Sequence, residues 1–260
     1  MRLIALHADV IVAVSRVWQT TCTAVRHGEE GFLIDSPVYP DELEALPSVL
    51  SQAGFPVSAL LATHADWDHL LGRLAFEGLA LGCAETTAAR LAAEPGAAQR
   101  ALREFDQEHY VEGRQTLTLG GVQRLPVPGK LSIGSEHELE LHPADGHTAD
   151  GMAVWVPWAA ILVCGDYLSP VEIPMLSASG SREAYAATLT GLRPLVARAQ
   201  TVVPGHGGPI SPQQALSLLD EDLAYIRTLA SSDPSLPHSR RTARQLQIHE
   251  QNLRVVRGRR

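Results

Sequence analysis

Residues 63 to 69 read Thr-His-Ala-Asp-Trp-Asp-His, which places four metal-capable side chains, His64, Asp66, Asp68 and His69, within six positions. Imidazole and carboxylate together suit a borderline or moderately hard divalent ion such as Zn, Fe or Mn, and no cysteine pair stands nearby to form a closed structural zinc knuckle. The run before them, Val57 to Thr63, is short, mostly apolar and opened by Gly54 and Pro56, the pattern of a buried strand. Leu70, Leu71, Leu74 and Ala75 then recur at helical spacing up to Gly78. The four side chains therefore fall where a strand ends and a helix begins, the place at which open α/β sheets carry their chemistry.

Three further segments repeat an apolar run that ends in a ligand type. Leu139-Glu140-Leu141 leads to Gly146-His147-Thr148, Ala160 to Cys164 leads to Gly165-Asp166, and Thr201-Val202-Val203 leads to Pro204-Gly205-His206-Gly207. Glycine beside each ligand lets the backbone turn sharply and come close to an ion or substrate.

The elements that must position these groups follow from periodicity. Leu3 to Asp35 alternates short apolar runs with turn residues and reads as an antiparallel meander. A helix from about Asp41 to Gln52 is expected to kink or break at Pro47. Residues 85 to 108 look helical, and 116 to 142 return to strand character. The second half predicts strands near 152 to 157, 160 to 164 and 201 to 203, with helices from Arg182 to Ala199 and from Pro212 to Leu229. Ser232 to Pro237 reads as a linker and 239 to 256 as a terminal helix, so the expected organisation is one domain over 1–231 with 232–260 as its C-terminal helical extension. Two sheets with helices outside would cover every apolar face.

With these motifs in this order, the chain resembles the metallo-β-lactamase superfamily, from Asp35 in Gly31-Phe32-Leu33-Ile34-Asp35 through to His206. The resemblance implies an α/β fold, a four-layer αβ/βα sandwich of two mixed sheets with the metals at one edge. It implies that His64 and His147 hold a first metal with residue 66, that Asp68, His69 and His206 hold a second, and that Asp166 bridges them. Asp35 would be the buried carboxylate that orders the ligand loop. One departure stands out: the family's common motif is His-x-His-x-Asp-His, and Asp66 occupies the place of its second His. Flavodiiron proteins, which the chain resembles here, place Glu at that position. A ligating Asp66 would set three carboxylates against two ions and harden the site toward Mn or Fe.

The implied activity is hydrolysis of a small ester, lactone, thioester, amide or phosphoester by a metal-activated water, with two divalent ions as cofactors, Zn foremost and Mn or Fe as alternatives. Asp68 is the candidate for orienting that water and moving its proton. The rival class is a di-iron or mono-iron oxidoreductase, and a third reading is a metal binder without turnover. Ser36, Ser169 and the cysteines lack a His and acid arrangement that would activate a nucleophile. Substrate contacts are expected from Trp18, in the loop from Ser15 to Thr20, and from Tyr167, with Trp67 and His142 read as structural; His7, His27, His109, His137, His238 and His249 should lie outside the metal site.

Composition bounds the partners. A 45% hydrophobic and 19% charged chain is ordinary for a globular protein, and a net charge of −8 opposes binding to nucleic acid or anionic membrane. No apolar run is long enough to span a bilayer, and residues 1 to 14 lack a signal-peptide pattern, so a cytoplasmic location and a small-molecule substrate are expected, with the oligomeric state left open. The 3 cysteines, Cys22, Cys83 and Cys164, are scattered and read as core residues. Arginines crowd the end, at 240, 241, 244, 254, 257, 259 and 260, and read as a solvated helix face.

Overall fold

The computed structural model describes residues 1–231, 233–237 and 239–258. Ser232, His238, Arg259 and Arg260, named above, lie outside the described residues. In chain order the strands are β1 (Arg2–His7), β2 (Val10–Val14), β3 (Thr21–His27), β4 (Glu30–Asp35), β5 (Ala59–Ala62), β6 (Leu81–Ala84), β7 (Val122–Leu125), β8 (Gly129–Ile133), β9 (His137–Pro143), β10 (Met152–Val156), β11 (Ile161–Val163) and β12 (Thr201–Val203). The helices are α1 (Pro40–Gln52), α2 (Gly72–Ala75), α3 (Glu85–Ala93), α4 (Ala97–Glu108), α5 (Arg182–Arg198), α6 (Pro212–Thr228) and α7 (Ala243–Gly258).

A seven-stranded sheet runs β1-β2-β3-β4-β5-β6-β7 and a five-stranded sheet runs β12-β11-β10-β9-β8. The meander β1 to β4 is antiparallel, and β5 to β7 then add in parallel, while only β11 and β12 are parallel in the second sheet. Side chains alternate across each strand, which divides the core into three. Val10, Val12 and Val14 face Val154, Val156 and Leu139 between the sheets. Their neighbours Ile11 and Ala13 face outward onto Leu43, Leu46 and Phe105 of α1 and α4, and Ala153 and Trp155 face Leu189, Leu192 and Leu219 of α5 and α6. The result is the expected four-layer sandwich with helices on both outer faces.

Three elements differ from the sequence reading. α1 passes through Pro47 as one helix with Leu43, Leu46 and Leu50 buried, because packing on the sheet outweighs a lost turn hydrogen bond. The helical stretch 85 to 108 is two helices, parted at Glu94-Pro95-Gly96 where Gly96 takes φ +77°. The ligand motif itself ends in a short 3-10 turn, Trp67–His69, and the helix expected after it is the single-turn α2. Ser181 and Ser211 cap α5 and α6 by accepting from Ala184 N and Gln214 N.

Candidate metal centre

The ends of β4, β9, β11 and β12 and the turn after β5 deliver the site. β4 ends at Asp35, which takes φ +59° and turns its carboxylate under the motif. Asp35 Oδ1 accepts Thr63 N at 2.8 Å, and Oδ2 accepts Thr63 Oγ1 at 2.9 Å and His69 Nδ1 at 2.9 Å. Because Thr63 Oγ1 spends its proton on Asp35, it accepts from His64 Nδ1 at 3.1 Å. A carboxylate at the root of this chain can only accept, so both imidazoles carry hydrogen on Nδ1 and present Nε2 to the interior. Both Nε2 atoms are buried and lack a hydrogen-bond partner among the described residues, as does Asp166 Oδ1.

Around these atoms the seven candidate ligands converge. His64 Nε2 and His147 Nε2 lie 3.7 and 3.2 Å from Asp66 Oδ2, and 3.7 and 3.4 Å from Asp166 Oδ2. His69 Nε2 and His206 Nε2 lie 3.7 and 3.5 Å from Asp68 Oδ2, and 3.1 and 3.3 Å from Asp166 Oδ1. Asp166 thus turns one oxygen to each half of the cluster. Burial alone would lower the imidazole pKa values, but the facing carboxylates outweigh it and raise His147 to about 9, through Asp66 and Asp166, and His206 to about 10, through Asp166. Asp66 and Asp166 are held well below the carboxylate range against burial, Asp66 by its contacts to His147 and His64, Asp166 by the charges of His206, His69 and His64. In the metal-free protein the raised imidazoles answer the carboxylates, and the same donor atoms could instead hold a cation.

The loops are built for close approach. A side chain at Gly205 would strike Asp166 Oδ1, and one at Gly146, where φ is +125°, would strike the backbone of Tyr185. His147 Nδ1 donates to Met175 O at 2.8 Å, which again leaves Nε2 facing the cluster. Tyr167 is 2% exposed, accepts His147 N at 3.1 Å and donates to Asp145 O at 2.8 Å. Its hydroxyl is therefore spent on holding the His147 loop, whereas sequence suggested a substrate contact. Trp18 is half-buried on Trp67 and Phe105, with ring centroids 5.7 and 5.2 Å away, at the rim of the ligand motif. The other described histidines lie elsewhere: His27 stacks on His137, His109 on Phe105, His249 meets Tyr225, and His142 lies 3.4 Å from Glu140.

Two supports were not found by sequence. Arg90 of α3 donates from Nη2 to Asp66 Oδ1 at 2.8 Å and from Nη1 to Asp150 Oδ1 at 2.9 Å, while Asp150 Oδ2 accepts Ala65 N at 3.0 Å. The C-terminal segment fastens the 169–176 loop, which carries Met175. Arg240 donates to Glu172 O at 2.8 Å, Gln245 to Val171 O at 2.7 Å, and Asn252 bridges Pro174 O and Leu176 N, both at 2.7 Å. An arginine in a helix beginning Glu-Thr-Thr-Ala-Ala-Arg, or an Asn in a terminal helix, carries no local mark of such a role.

The donor groups could hold metal ions: in His64, Asp66 and His147, in His64, His69 and Asp166, and in Asp68, His69 and His206, each residue offers one atom within 4.8 Å of the others. Comparison with solved structures places the fold. A metallo-beta-lactamase from Pontibacter korlensis aligns at TM-score 0.62 and 21% identity over 87% of this chain and 98% of that one. A metallo-beta-lactamase family protein from Thermus thermophilus aligns at 0.68 and 19% over 98% and 95%. The inverting sec-alkylsulfatase Pisa1 from Pseudomonas sp. aligns at 0.77 and 14%, over 99% of this chain and 50% of that one. The sequence profile of the Metallo-beta-lactamase superfamily matches residues 15–206, a span that holds Asp35 and every candidate ligand, and the chain belongs to that superfamily.

Proposed function

We propose that the protein is a hydrolase that uses two divalent ions, zinc foremost and manganese or iron as alternatives, on a small ester, lactone, thioester, amide or phosphoester. Superfamily membership points to a metal-dependent hydrolase. The observation that carries the reading is the aim of the imidazoles: Asp35 and Met175 O occupy the Nδ1 atoms of His69 and His147, and Thr63 that of His64, so Nε2 of each faces Asp66, Asp68 or Asp166. Ions bound there supply a water of lowered pKa and polarise the substrate's carbonyl or phosphoryl oxygen.

The chain's own groups do the rest. Asp68 is 6% exposed, and Ser36 Oγ donates to its backbone oxygen at 3.1 Å and accepts Leu71 N at 3.0 Å, which fixes the 3-10 turn. Its carboxylate is our candidate to accept the proton of the attacking water and return it to the leaving group as the acyl or phosphoryl bond breaks. His64, His69, His147 and His206 hold position and take no proton in the loaded state.

A second reading rests on Asp66: a third carboxylate favours harder ions and leaves iron chemistry as the rival. Metal analysis with an absorption spectrum, followed by a panel of esters, lactones, thioesters and phosphodiesters, separates them. Colourless, two-metal protein that cleaves a panel member supports hydrolysis. Visible-absorbing iron with redox turnover and no cleavage overturns it.

A further inference from the structure

A cavity of about 290 Å³ opens beside Asp66, between the ligand motif, α3, α4 and α7. Trp67, Leu91, Ala98, Ala101 and Met175 form its apolar side, and small side chains on α4 leave the space that the aromatic and aliphatic groups enclose. Arg90 is the cation of its lining among the described residues, and it is fully engaged. Asp66 and Asp150 lie 2.8 and 2.9 Å from its two Nη atoms, and Glu94 lies 3.8 Å from Nε. All three carboxylates share that one guanidinium, so among the described lining residues neither a free cation nor an unengaged carboxylate stands ready to meet a charged tail. The cavity also adjoins the metal centre through a shared residue, since Asp66 gives Oδ1 to Arg90 and turns Oδ2 to His147.

We propose that this cavity is the specificity pocket for a compact, uncharged aliphatic group of the substrate, an acyl or alkyl chain on the ester or lactone. At about 30 Å³ per water-sized group the volume holds ~6 to 10 non-hydrogen atoms, toward the small end of ligand sites. The proposal rests on the hydrolase reading for its chemistry, in which water oxygen bonds to the acyl carbon, the acyl C–O bond breaks and the water proton leaves with the alcohol. The pocket itself selects by apolar burial and by leaving a charged tail of either sign without a free partner.

The test uses the metal-loaded protein. Calorimetry with hexanamide, and with the same amide ending in a carboxylate or an ammonium, reads binding to the pocket, with product analysis to check that the amide stays intact. Hexanamide should bind at least about tenfold more tightly than either charged analogue, since each buried methylene is worth ~0.8 kcal/mol, up to about fourfold, and a buried tail charge has no partner. Among p-nitrophenyl esters from acetyl to decanoyl, KM should fall by roughly two- to fourfold per methylene and level off near hexanoyl or octanoyl. Ala101→Phe should weaken hexanamide at least about tenfold and lower the hexanoyl-to-acetyl ratio of kcat/KM. Met175→Ala should move the plateau to longer chains, which tests the pocket should Ala101→Phe fail to fold. Equal or tighter binding of a charged analogue, or folded variants with unchanged ranking, overturns the proposal. Hexanamide binding without cleavage of any ester, lactone, thioester, amide or phosphoester sinks the hydrolase reading and leaves the pocket; cleavage indifferent to chain length does the reverse.

Discussion

Asp35→Asn tests the tautomer argument directly. Asp35 is 3% exposed and its two oxygens accept from Thr63 N, Thr63 Oγ1 and His69 Nδ1, all within 2.9 Å. An amide is nearly isosteric, yet one of its two ends must donate. With the amide nitrogen toward His69, it meets an N–H, and the ring keeps a partner only by moving its proton to Nε2, where it blocks the metal-facing atom. With the nitrogen toward Thr63, it meets a backbone N–H instead. Either way a buried donor is orphaned, at about 1–3 kcal/mol, and a charge-assisted bond is lost, for a total of roughly 3 kcal/mol. The denaturation midpoint of the metal-free protein should fall at unchanged slope. Metal affinity should fall by about 10- to 100-fold, as for other partners of ligating histidines, with the half held by His69 affected most. Chelator competition with metal analysis measures it. A variant within about 0.5 kcal/mol of the parent that binds both metals as tightly would refute the claim that Asp35 sets the tautomers.

Thr63→Val removes the hydroxyl that links Asp35 Oδ2 to His64 Nδ1 but keeps the backbone N–H and His69 Nδ1 on Asp35, so chelator competition should show loss concentrated in the half held by His64, Asp66 and His147. For the metal-free protein, His147 and His206 are raised to about 9 and 10, above the ordinary imidazole value. The stability they contribute should be fully present below about pH 6.5 and lost as pH rises through about 9 to 10, read by urea melts across pH. Metal binding must displace those same protons, so calorimetry in buffers of different ionisation enthalpy should find proton release at about pH 7 that vanishes near pH 10. Asn252→Ala leaves Leu176 N and Pro174 O without their partner in a site that is 0% exposed, and should cost roughly 2–4 kcal/mol in a denaturation melt.

The candidate ligands were legible because they cluster just past the ends of apolar runs beside turn residues, a local signal. β12 was read at its true limits, Thr201–Val203, since a β-branched run between Gln200 and Pro204 admits little else. The break at Pro95-Gly96 was missed because Ala-rich flanks keep helical spacing across it. Arg90, Asp150 and Asn252 were illegible for a different reason. Their partners lie 24 to 85 positions away, and only the closed fold brings an α3 guanidinium to Asp66 or a C-terminal amide to Pro174. Tyr167 was misread because adjacency to Asp166 in sequence does not fix which way a ring turns at a strand end.

Arg90 also changes what the Asp66 departure means. From sequence, an aspartate in place of histidine adds a full negative charge and a donor whose reach is short. In the fold, Arg90 takes Oδ1 at 2.8 Å and leaves Oδ2 3.2 Å from His147 Nε2, so the position offers a single oxygen with much of its charge already answered. Each half of the cluster then has four donor atoms: Nε2 of His64 and His147 with Oδ2 of Asp66 and Asp166, and Nε2 of His69 and His206 with Asp68 Oδ2 and Asp166 Oδ1. Four nitrogen and oxygen donors suit zinc. Arg90→Met should undo that balance by freeing Oδ1, giving the half around His64 a more anionic carboxylate able to bind through two oxygens, as larger and harder ions prefer. In competition loading with equal zinc and manganese, the manganese share should rise by about tenfold, the scale on which outer partners tune metal affinity. Asp150 also loses its cation, so a melt must first establish that the variant is folded. A folded Arg90→Met protein with the parent's zinc-to-manganese ratio would show that Arg90 serves the turn alone and leaves the donor character of Asp66 untouched.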